Sequence, residues 1–305
     1  MPLPSLLKQF RVKPGKSVHL KDYDPGWEQT AELADLGKRK VRERAEDLLA
    51  DCLNDLKNAQ ELLYADNRYS LRIILQAMDA AGKDGTIKHV MSGVNPQGCV
   101  VSAFKTPSAE ELDHTFLWRY TTRLPERGCI GIFNRSYYED VLVVRVHPEL
   151  LDHQNLPPGK HGKAFWNARY DDINALEQHL VRNGTIVLKF FLNISKDEQK
   201  ERFLERLNEP DKHWKFSTAD MKEREYWDDY TDAYEQMLSA TSTEHAPWYV
   251  IPADHKWVTR TAVAYLVANA ITSLDLSTPV LTNERKQLLD DARRQLMAED
   301  SSDAD

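Results

Sequence analysis

The segment from Asp79 to Thr86 combines acidic, basic and glycine residues at a spacing suited to phosphate chemistry. An apolar, β-rich run precedes it, and the pattern predicts that a helix begins at Lys83. Backbone N–H groups at a helix start point outward with partial positive charge, so they attract phosphate oxygens. The layout is typical of a phosphate-binding loop, although Ala77 replaces the first Gly of G-x-x-x-x-G-K-[ST] and Asp84 replaces its metal-binding hydroxyl. An ordinary strand–turn–helix with Gly at the bend is the alternative interpretation.

Asp79 lies inside this loop, where a carboxylate and a phosphate chain repel each other unless a cation lies between them. Asp79 and Asp84 also lie on either side of Lys83. Mg²⁺ prefers carboxylate and phosphate oxygens, so we expect Asp79 to bind Mg²⁺, with Mn²⁺ as the alternative cation. The other loop residues expected to contact phosphate are Ala80, Ala81, Gly82, Asp84, Gly85 and Thr86.

A second apolar strand is predicted to end at Phe133, and Asn134 and Arg135 follow it. In the Walker-B layout an Asp at this end holds the Mg²⁺ shell, whereas an amide binds a metal-bound water or a phosphate oxygen without adding charge. The planar guanidinium of Arg135 suits phosphate oxygens and would neutralise charge on a transferred group. Taken alone, Arg135 is explained equally well by pairing with Glu139 or Asp140.

A third cationic segment lies further along the chain. Arg202 and Arg206 are four residues apart and therefore share one helix face. Lys212 and Lys215 follow in a loop that contains Pro210. The segment is interpreted as a lid that closes over phosphates and excludes water. Two solvated helices linked by ion pairs are the alternative.

Strand and helix signals alternate along the chain, which predicts an α/β fold with a parallel sheet covered on both faces. The loops after the strands at 71–76 and 128–133 should line one crevice, because ligands bind at the carboxyl ends of such strands.

Ser108 and Glu111 have the spacing of a capping box at a helix start. We divide the chain into an N-terminal arm and helical extension (1–66), a core (67–274) with its lid at about 196–240, and an acidic, partly disordered tail (275–305).

Composition excludes several classes of protein. The 305 residues carry a net charge of −8, which argues against generic binding to nucleic acid or to a membrane surface. Neither a signal peptide nor a run of about 18 apolar residues is found, so no membrane span is expected. Cys52, Cys99 and Cys129 lack CxxC spacing, which indicates buried thiols in a reducing cytoplasm.

Taken in order, these motifs resemble those of polyphosphate kinase family 2. The loop Asp79–Gly85 resembles the family's D-x-x-G-K-D/G-G, Phe133–Val141 resembles F-[DN]-R-S-x-Y, and Pro210–Lys215 resembles its lid. The resemblance extends over roughly residues 15–273 and includes Leu20–Pro25, Val94–Gly98 and Phe116–Arg119. Asn134 and the Tyr-Glu-Asp that follows it resemble the class III branch, whose members are described as phosphorylating nucleoside mono- and diphosphates from polyphosphate.

The resemblance implies a three-layer α/β/α fold of the P-loop kinase type. It also implies direct, reversible, Mg²⁺-dependent transfer from inorganic polyphosphate to AMP or ADP, and a homo-oligomer, dimer or tetramer. Asp79 would bind metal and orient the acceptor, Lys83 and Arg135 would hold the transferring group, and Asn134 would orient a metal-bound water. Glu139 would supply the acidic charge that Asn134 lacks. Candidates for the polyphosphate path are Arg119, Arg202, Arg206, Lys212 and Lys215, with Lys105 and Arg123 equally explained as surface charge.

Two other functions remain open at this point. One is a nucleotide or nucleoside kinase of the P-loop class that uses ATP, because the physics of loop and lid would be the same. The other is a catalytically silent phosphate-binding protein, which the departures at Asp84 and Asn134 leave open. A GTPase is disfavoured, because Asn193–Asp197 lacks the N-K-x-D spacing that reads guanine.

Overall fold

Five parallel strands form one central sheet in the computed structural model, which describes residues 8–28 and 38–302. The strands are β1 (Ser70–Gln76), β2 (Cys99–Ala103), β3 (Ile130–Asn134), β4 (Thr185–Asn193) and β5 (Trp248–Pro252). Their order across the sheet is β2-β3-β1-β4-β5, so β1 and β3 are neighbours. All seven residues of β1 are buried, as expected for a parallel strand covered on both faces. The predicted α/β class is confirmed.

Helices cover both faces of this sheet. They are α1 (Lys38–Asp66), α2 (Lys83–Val90), α3 (Ala109–Leu112), α4 (Trp118–Thr121), α5 (Val143–Val146), α6 (Lys163–Arg182), α7 (Lys196–Asn208), α8 (Thr218–Glu223), α9 (Trp227–Thr241), α10 (Lys256–Thr272) and α11 (Asn283–Ser302). Ile73 and Leu75 of β1 pack in one core with α1, α2 and α10, whereas Ile74 packs in a second core with α6 and α9. The alternation of side chains along β1 therefore produces the expected three layers.

The sequence pattern predicts one helix over Tyr137–Val146 and another over about 218–240, and the structure divides both. The segment Tyr137–Val146 forms a 3₁₀ turn, Tyr137–Val141, before the short α5. The predicted helix at 218–240 is α8 and α9 with a 3₁₀ turn, Arg224–Tyr226, between them. In the first segment Tyr137 and Tyr138 are buried, and tertiary packing of this kind overrides local helix propensity.

The two ends of the chain add to this core. Val12 N–H donates to the Trp248 carbonyl at 2.9 Å, so the N-terminal segment covers the β5 edge of the sheet. At the other end, part of the segment expected to be disordered is helical, since α11 spans Asn283–Ser302. Its sequence is rich in Leu, Ala, Arg and Gln, which favour helix. The final residues of the acidic tail, 303–305, lie outside the described residues.

Candidate active site

A cleft of about 930 Å³ lies at the carboxyl ends of β1 and β3. Leu75 of β1 is paired with Asn134 of β3, so the loops that leave these strands begin side by side. The cleft is lined by residues 79–85 from the first loop, by Asn134 and Arg135 from the second, and by Arg202 and Arg206 from α7. The predicted crevice between the two loops is confirmed.

The first loop has the backbone geometry of a tight anion-binding turn. Ala80 and Gly82 adopt left-handed conformations, with φ of 59° and 100°. Gly82 is the residue before α2, and a glycine reaches this conformation without the steric cost that a side chain would add. The first N–H groups of α2 consequently face the cleft with no intrahelical acceptor. Thr86 is the exception among the predicted contacts, because it is buried within α2 and its N–H donates to the Gly82 carbonyl.

Lys83 folds back across this loop. Its Nζ donates to the Ala77 carbonyl at 2.8 Å and lies 3.5 Å from the Met78 carbonyl. Burial, followed by the charge of Arg135, lowers the pKa of the Lys83 ammonium to about 8, although nearby carboxylates oppose the shift. The ammonium is therefore protonated at neutral pH but close to its titration range.

Arg135 joins the two loops. Its Nη2 donates to Asp79 Oδ1 at 3.0 Å, and its Nη1 lies 3.4 Å from Glu139 Oε2. Gln76 Nε2 donates to the other Glu139 oxygen at 2.8 Å. The charge of Glu139, followed by that of Asp79, raises the pKa of Arg135 above its usual value. Arg135 thus pairs with Glu139, as the alternative interpretation expected, and also faces the loop carboxylate.

Asp140, the other acidic partner considered for Arg135, lies elsewhere. It accepts hydrogen bonds from Tyr120 OH at 3.3 Å and from Gln154 Nε2 at 2.9 Å. Burial raises the pKa of Asp140 to about 6. The carboxylate belongs to the packing of the second core rather than to the cleft.

The departure at Asp84 in the phosphate loop and the departure at Asn134 in the second motif are hydrogen-bond partners. Asn134 Nδ2 donates to Asp84 Oδ1 at 2.6 Å. Asp84 stands where the pattern has a hydroxyl, and Asn134 stands where the second motif usually has a carboxylate. Compared with the usual patterns, the carboxylate lies at the helix start instead of the strand end, and the Asn134 amide donates a hydrogen bond to it.

Arg202 lines the cleft, but its guanidinium is bound to the loop and to neighbouring protein groups. Its Nη1 donates to the Ala80 carbonyl at 3.0 Å, and its Nη2 donates to the Ala253 and Asp254 carbonyls at 2.5 and 3.1 Å. Its Nε donates to Glu198 Oε1 at 2.8 Å. All three nitrogens are engaged by protein, so the geometry favours a positioning role over the polyphosphate contact expected from the sequence.

The remaining cations of the predicted polyphosphate path do not lie together in the structure. Arg206 lines the cleft and lies 3.7 Å from Asp220 Oδ2 on α8. Arg119 is buried behind the cleft wall, where it donates to the Lys105 carbonyl at 2.8 Å. Lys212 and Lys215 fall in the 3₁₀ turn Pro210–Lys215, and their side chains lie outside the described part of the structure.

Several residues of the cleft were missed by the sequence interpretation. Lys256, the first residue of α10, lines the cleft and lies 3.7 Å from Glu205. Asp220 also lines it, and burial together with the charge of Asp79 raises the pKa of the Asp220 carboxyl. Phe104 and Thr106 flank Lys105 on the loop after β2. The rule that sites form at carboxyl ends of parallel strands would have identified the loops after β2 and β5.

The side chains here fit a divalent cation only with help from substrate. Among residues 8–28 and 38–302, no group of three or more His, Cys, Asp or Glu residues forms a ready-made metal site. Asp79, Asp84 and the Asn134 amide are oxygen donors at the cleft. Mg²⁺ is commonly held by one or two carboxylates plus substrate phosphates and water, which this donor set suits.

No helix in the described ranges is both long and apolar enough to span a bilayer. Cys52 and Cys129 are buried and Cys99 is half-buried, and all three thiols are free.

Comparisons with known proteins agree with this geometry. The family model described as Polyphosphate kinase 2 (PPK2) matches residues 39–278. An ADP-polyphosphate phosphotransferase of Rhodopseudomonas palustris is 52% identical over 295 residues, covering 95% of this chain and 98% of the relative. An AMP/ADP-polyphosphate phosphotransferase of Meiothermus ruber is 43% identical, covering 90% of this chain and 96% of the relative. The crystal structure of polyphosphate kinase 2 from Arthrobacter aurescens TC1 superposes with a TM-score of 0.82 at 41% identity, covering 96% of each chain.

Proposed function

Because the chain belongs to the polyphosphate kinase 2 family, we propose that it transfers a phosphoryl group between inorganic polyphosphate and adenine nucleotides, with AMP and ADP as acceptors and ATP as the final product. One observation of the structure supports this most strongly. Asp79, Lys83 and Arg135 come from two loops and converge on one cleft at the carboxyl ends of β1 and β3. A carboxylate between two cations suits a site where two anionic chains meet end to end.

Catalysis in this proposal consists of positioning and charge neutralisation. The attacking group is a phosphate oxygen that is already largely ionised near neutral pH, so a strong general base is not required. Lys83 and Arg135 would hold the transferring phosphoryl group in line between donor and acceptor. Arg135 is held extended by its carboxylate partners at 3.0 and 3.4 Å, so little side-chain freedom remains to be lost on binding.

A divalent cation, Mg²⁺ or Mn²⁺, would be held by Asp79 together with phosphate oxygens and would neutralise charge between the two chains. Asp84 lies within reach of the same cleft, and Asn134 fixes its carboxylate at 2.6 Å. The pair would orient the shell of water around the cation. Glu139 supplies acidic charge through Arg135, to which it lies at 3.4 Å.

The path for the long polyphosphate chain would run along the remaining cations of the cleft. Lys105, Arg206 and Lys256 line it from three different elements. The cleft therefore presents cations even though the chain as a whole carries a net charge of −8. Binding to such a groove weakens as salt rises, because it depends on release of counterions.

A homo-oligomer, dimer or tetramer, and a cytoplasmic location belong to the same proposal. Val100 and Val101 on the edge strand β2 are 54% and 49% exposed, and an apolar strand edge of this kind favours association. The three free thiols are in keeping with a reducing compartment. Light scattering coupled to size exclusion measures the oligomer directly.

The proposal is tested by supplying polyphosphate and ADP, or polyphosphate and AMP, to purified protein with Mg²⁺ and no other nucleotide. We expect ATP from ADP, and ADP followed by ATP from AMP. A protein that instead requires ATP as donor would be a nucleotide kinase. A protein that binds polyphosphate without any transfer would be a silent binding protein, and either result would refute the proposal.

A further inference from the structure

A group of buried polar side chains lies beneath the turn that follows β3. Glu177 of α6 accepts hydrogen bonds on Oε1 from the hydroxyls of Tyr137 at 2.6 Å and Tyr138 at 2.8 Å. Its Oε2 accepts a hydrogen bond from Lys189 Nζ on β4 at 2.6 Å. All four side chains are 0% exposed. One carboxylate therefore holds two consecutive residues of the turn from inside the protein.

The hydrogen bonds of this group have a defined direction. Lys189 Nζ also donates to Tyr138 OH at 3.0 Å and to the Thr241 carbonyl at 2.6 Å, so its three protons are all used. Burial, followed by the charge of Glu177, raises the pKa of the Tyr138 phenol well above its usual value. The phenol stays protonated, accepts from Lys189 and donates to Glu177. A chain of this kind tolerates few alternative arrangements.

Arg72 of β1 restrains the same turn from the other side. Its guanidinium lies over the rings of Phe133 and Tyr137, with centroid distances of 4.3 and 4.7 Å. The side chain is fully buried, and its nitrogens have no hydrogen-bond partner among the described residues. Two aromatic faces are thus the main stabilisation of this charge. The Tyr137 ring is fixed by a cation on its face and by a carboxylate at its hydroxyl.

The residue that needs such support is Arg135. It has a φ of 66°, in the left-handed region that residues other than Gly seldom adopt. Backbone strain of this kind persists only where the surroundings over-determine the conformation. Arg135 lies two residues before Tyr137, and Ser136 between them is itself buried. The buried hydroxyls are therefore close enough along the chain to hold the backbone that aims the guanidinium.

A stabilising role alone does not account for the buried ion pair. Replacing a buried pair by apolar side chains of similar volume is often neutral or stabilising, whereas pairs of this type can specify one conformation. We propose that Glu177 and Lys189 position Arg135 for phosphoryl transfer, acting through the hydroxyls of Tyr137 and Tyr138. This inference rests on the proposed function, and it assigns Glu177 and Lys189 as positioning residues that touch no substrate.

The test removes the two hydroxyls without changing the volume of the core. In the variant Tyr137→Phe/Tyr138→Phe we expect kcat to fall about 10-fold with a much smaller change in the KM for ADP, because a guanidinium displaced by a fraction of an ångström still binds but no longer aligns. Tyr170→Phe is the matched control. Tyr170 is also buried in the second core, but its hydroxyl accepts a hydrogen bond from Arg145 at 2.9 Å rather than joining Glu177 and Lys189. It should keep wild-type kcat.

A double-mutant cycle separates positioning from general loss of structure. In an Arg135→Ala background, the two Tyr→Phe changes should cause no further fall in kcat, because the group they position is gone. Losses that simply multiply would overturn the proposal. If the double Phe variant does not fold, Glu177→Gln/Lys189→Met removes both charges together and enters the same cycle.

A crystal structure of the double Phe variant provides a readout that needs no turnover. We expect Arg135 to move away from Asp79, from which it is 3.0 Å distant here. An unchanged Arg135–Asp79 contact would refute the positioning role even if kcat falls as expected. Wild-type protein that makes no ATP from polyphosphate would refute the proposed function instead, so the two failures are distinguishable.

Discussion

The phosphate loop after β1 and the turn after β3 face the same cleft, yet they are held in different ways. The loop is held through its carbonyl oxygens, since Lys83 donates to Ala77, Arg202 donates to Ala80 and Gln199 donates to Asp79. Two of these three donors lie on α7, at the start of the segment interpreted as a lid. The turn is held through side-chain hydroxyls by a carboxylate in the buried core.

The difference has a mechanical consequence. Any movement of α7 would be transmitted to the loop, because Gln199 Nε2 lies 2.9 Å from the Asp79 carbonyl and Arg202 Nη1 lies 3.0 Å from that of Ala80. The turn that carries Arg135 is attached to α6 and β4, which belong to the core. If the proposed lid closes, the loop would follow α7 while the turn is held by the core, which suits a reaction that depends on alignment.

The strongest way to challenge this comparison is to remove the cation of the loop. Lys83→Ala should lower kcat/KM about 10³-fold, as expected for loss of a charge that stabilises the transferred group. ATP formation from ADP and polyphosphate measures the effect. Lys88→Ala is the matched control, because Lys88 is an exposed lysine on the same helix. Equal activities for the two variants would remove Lys83 from the site.

The attachment of the loop to α7 can be broken separately. Arg202→Met should lower kcat/KM about 10-fold through misplacement of the loop. It should also reduce the free energy of unfolding by about 2–3 kcal/mol, since charge-assisted hydrogen bonds to buried carbonyls are lost. Denaturant titration measures the second effect. Lys200→Met, at an exposed position of the same helix, should change neither quantity. Full activity in Arg202→Met would show that the loop does not need this support.

The contact between loop and turn offers a finer test. Asn134→Asp places a carboxylate 2.6 Å from Asp84 in place of an amide donor, so the two charges repel and attract a cation more strongly. We expect the half-saturating Mg²⁺ concentration to change about threefold, with a shift in the preference between AMP and ADP. The exchanged variant Asp84→Asn/Asn134→Asp should return toward wild type. Kinetics that are unchanged at every Mg²⁺ concentration would contradict the placement of Asn134.

The smallest expected effect is a pH dependence that belongs to the loop. The Lys83 pKa is lowered to about 8, so the ammonium is charged below this pH and neutral above it. The kcat/KM should therefore fall as pH rises, to about half of its plateau value at the pKa. The descending limb should move to higher pH in Lys83→Arg, whose side chain stays charged. A limb at the same pH in both enzymes would assign it to another group.

Local patterns predicted the elements that depend on neighbours in the chain. The one-face spacing of Trp166, Ile173 and Leu180 predicts a helix over Lys163–Arg182, and α6 has these bounds. The capping box of α3 is confirmed, since the Ser108 hydroxyl accepts from Glu111 N–H and the Glu111 carboxylate accepts from Ser108 N–H. Amphipathic spacing and capping are short-range effects, so a single sequence carries them in full.

Contacts between distant segments were less predictable. Arg202 and Arg119 were expected on the polyphosphate path, but both guanidiniums are buried against backbone carbonyls. Lys256 enters the cleft from α10, which the motifs did not mark, and Asp220 enters it from the lid segment, where only cations were considered. Long cationic side chains reach several ångströms in any direction, so their partners depend on packing that the pattern of charges does not encode.

Sequence alone determined the order of strands and helices, the phosphate loop and the turn beside it, because strand ends, glycine and lysine spacing and the resemblance to a family are written in consecutive residues. Only the tertiary structure decided which cations face the cleft, that Asn134 holds Asp84, and that Glu177 lies beneath the turn of Arg135. These arrangements join residues that are 39 to 50 positions apart. Burial and hydrogen bonding across such separations act only after the sheet has brought the segments together.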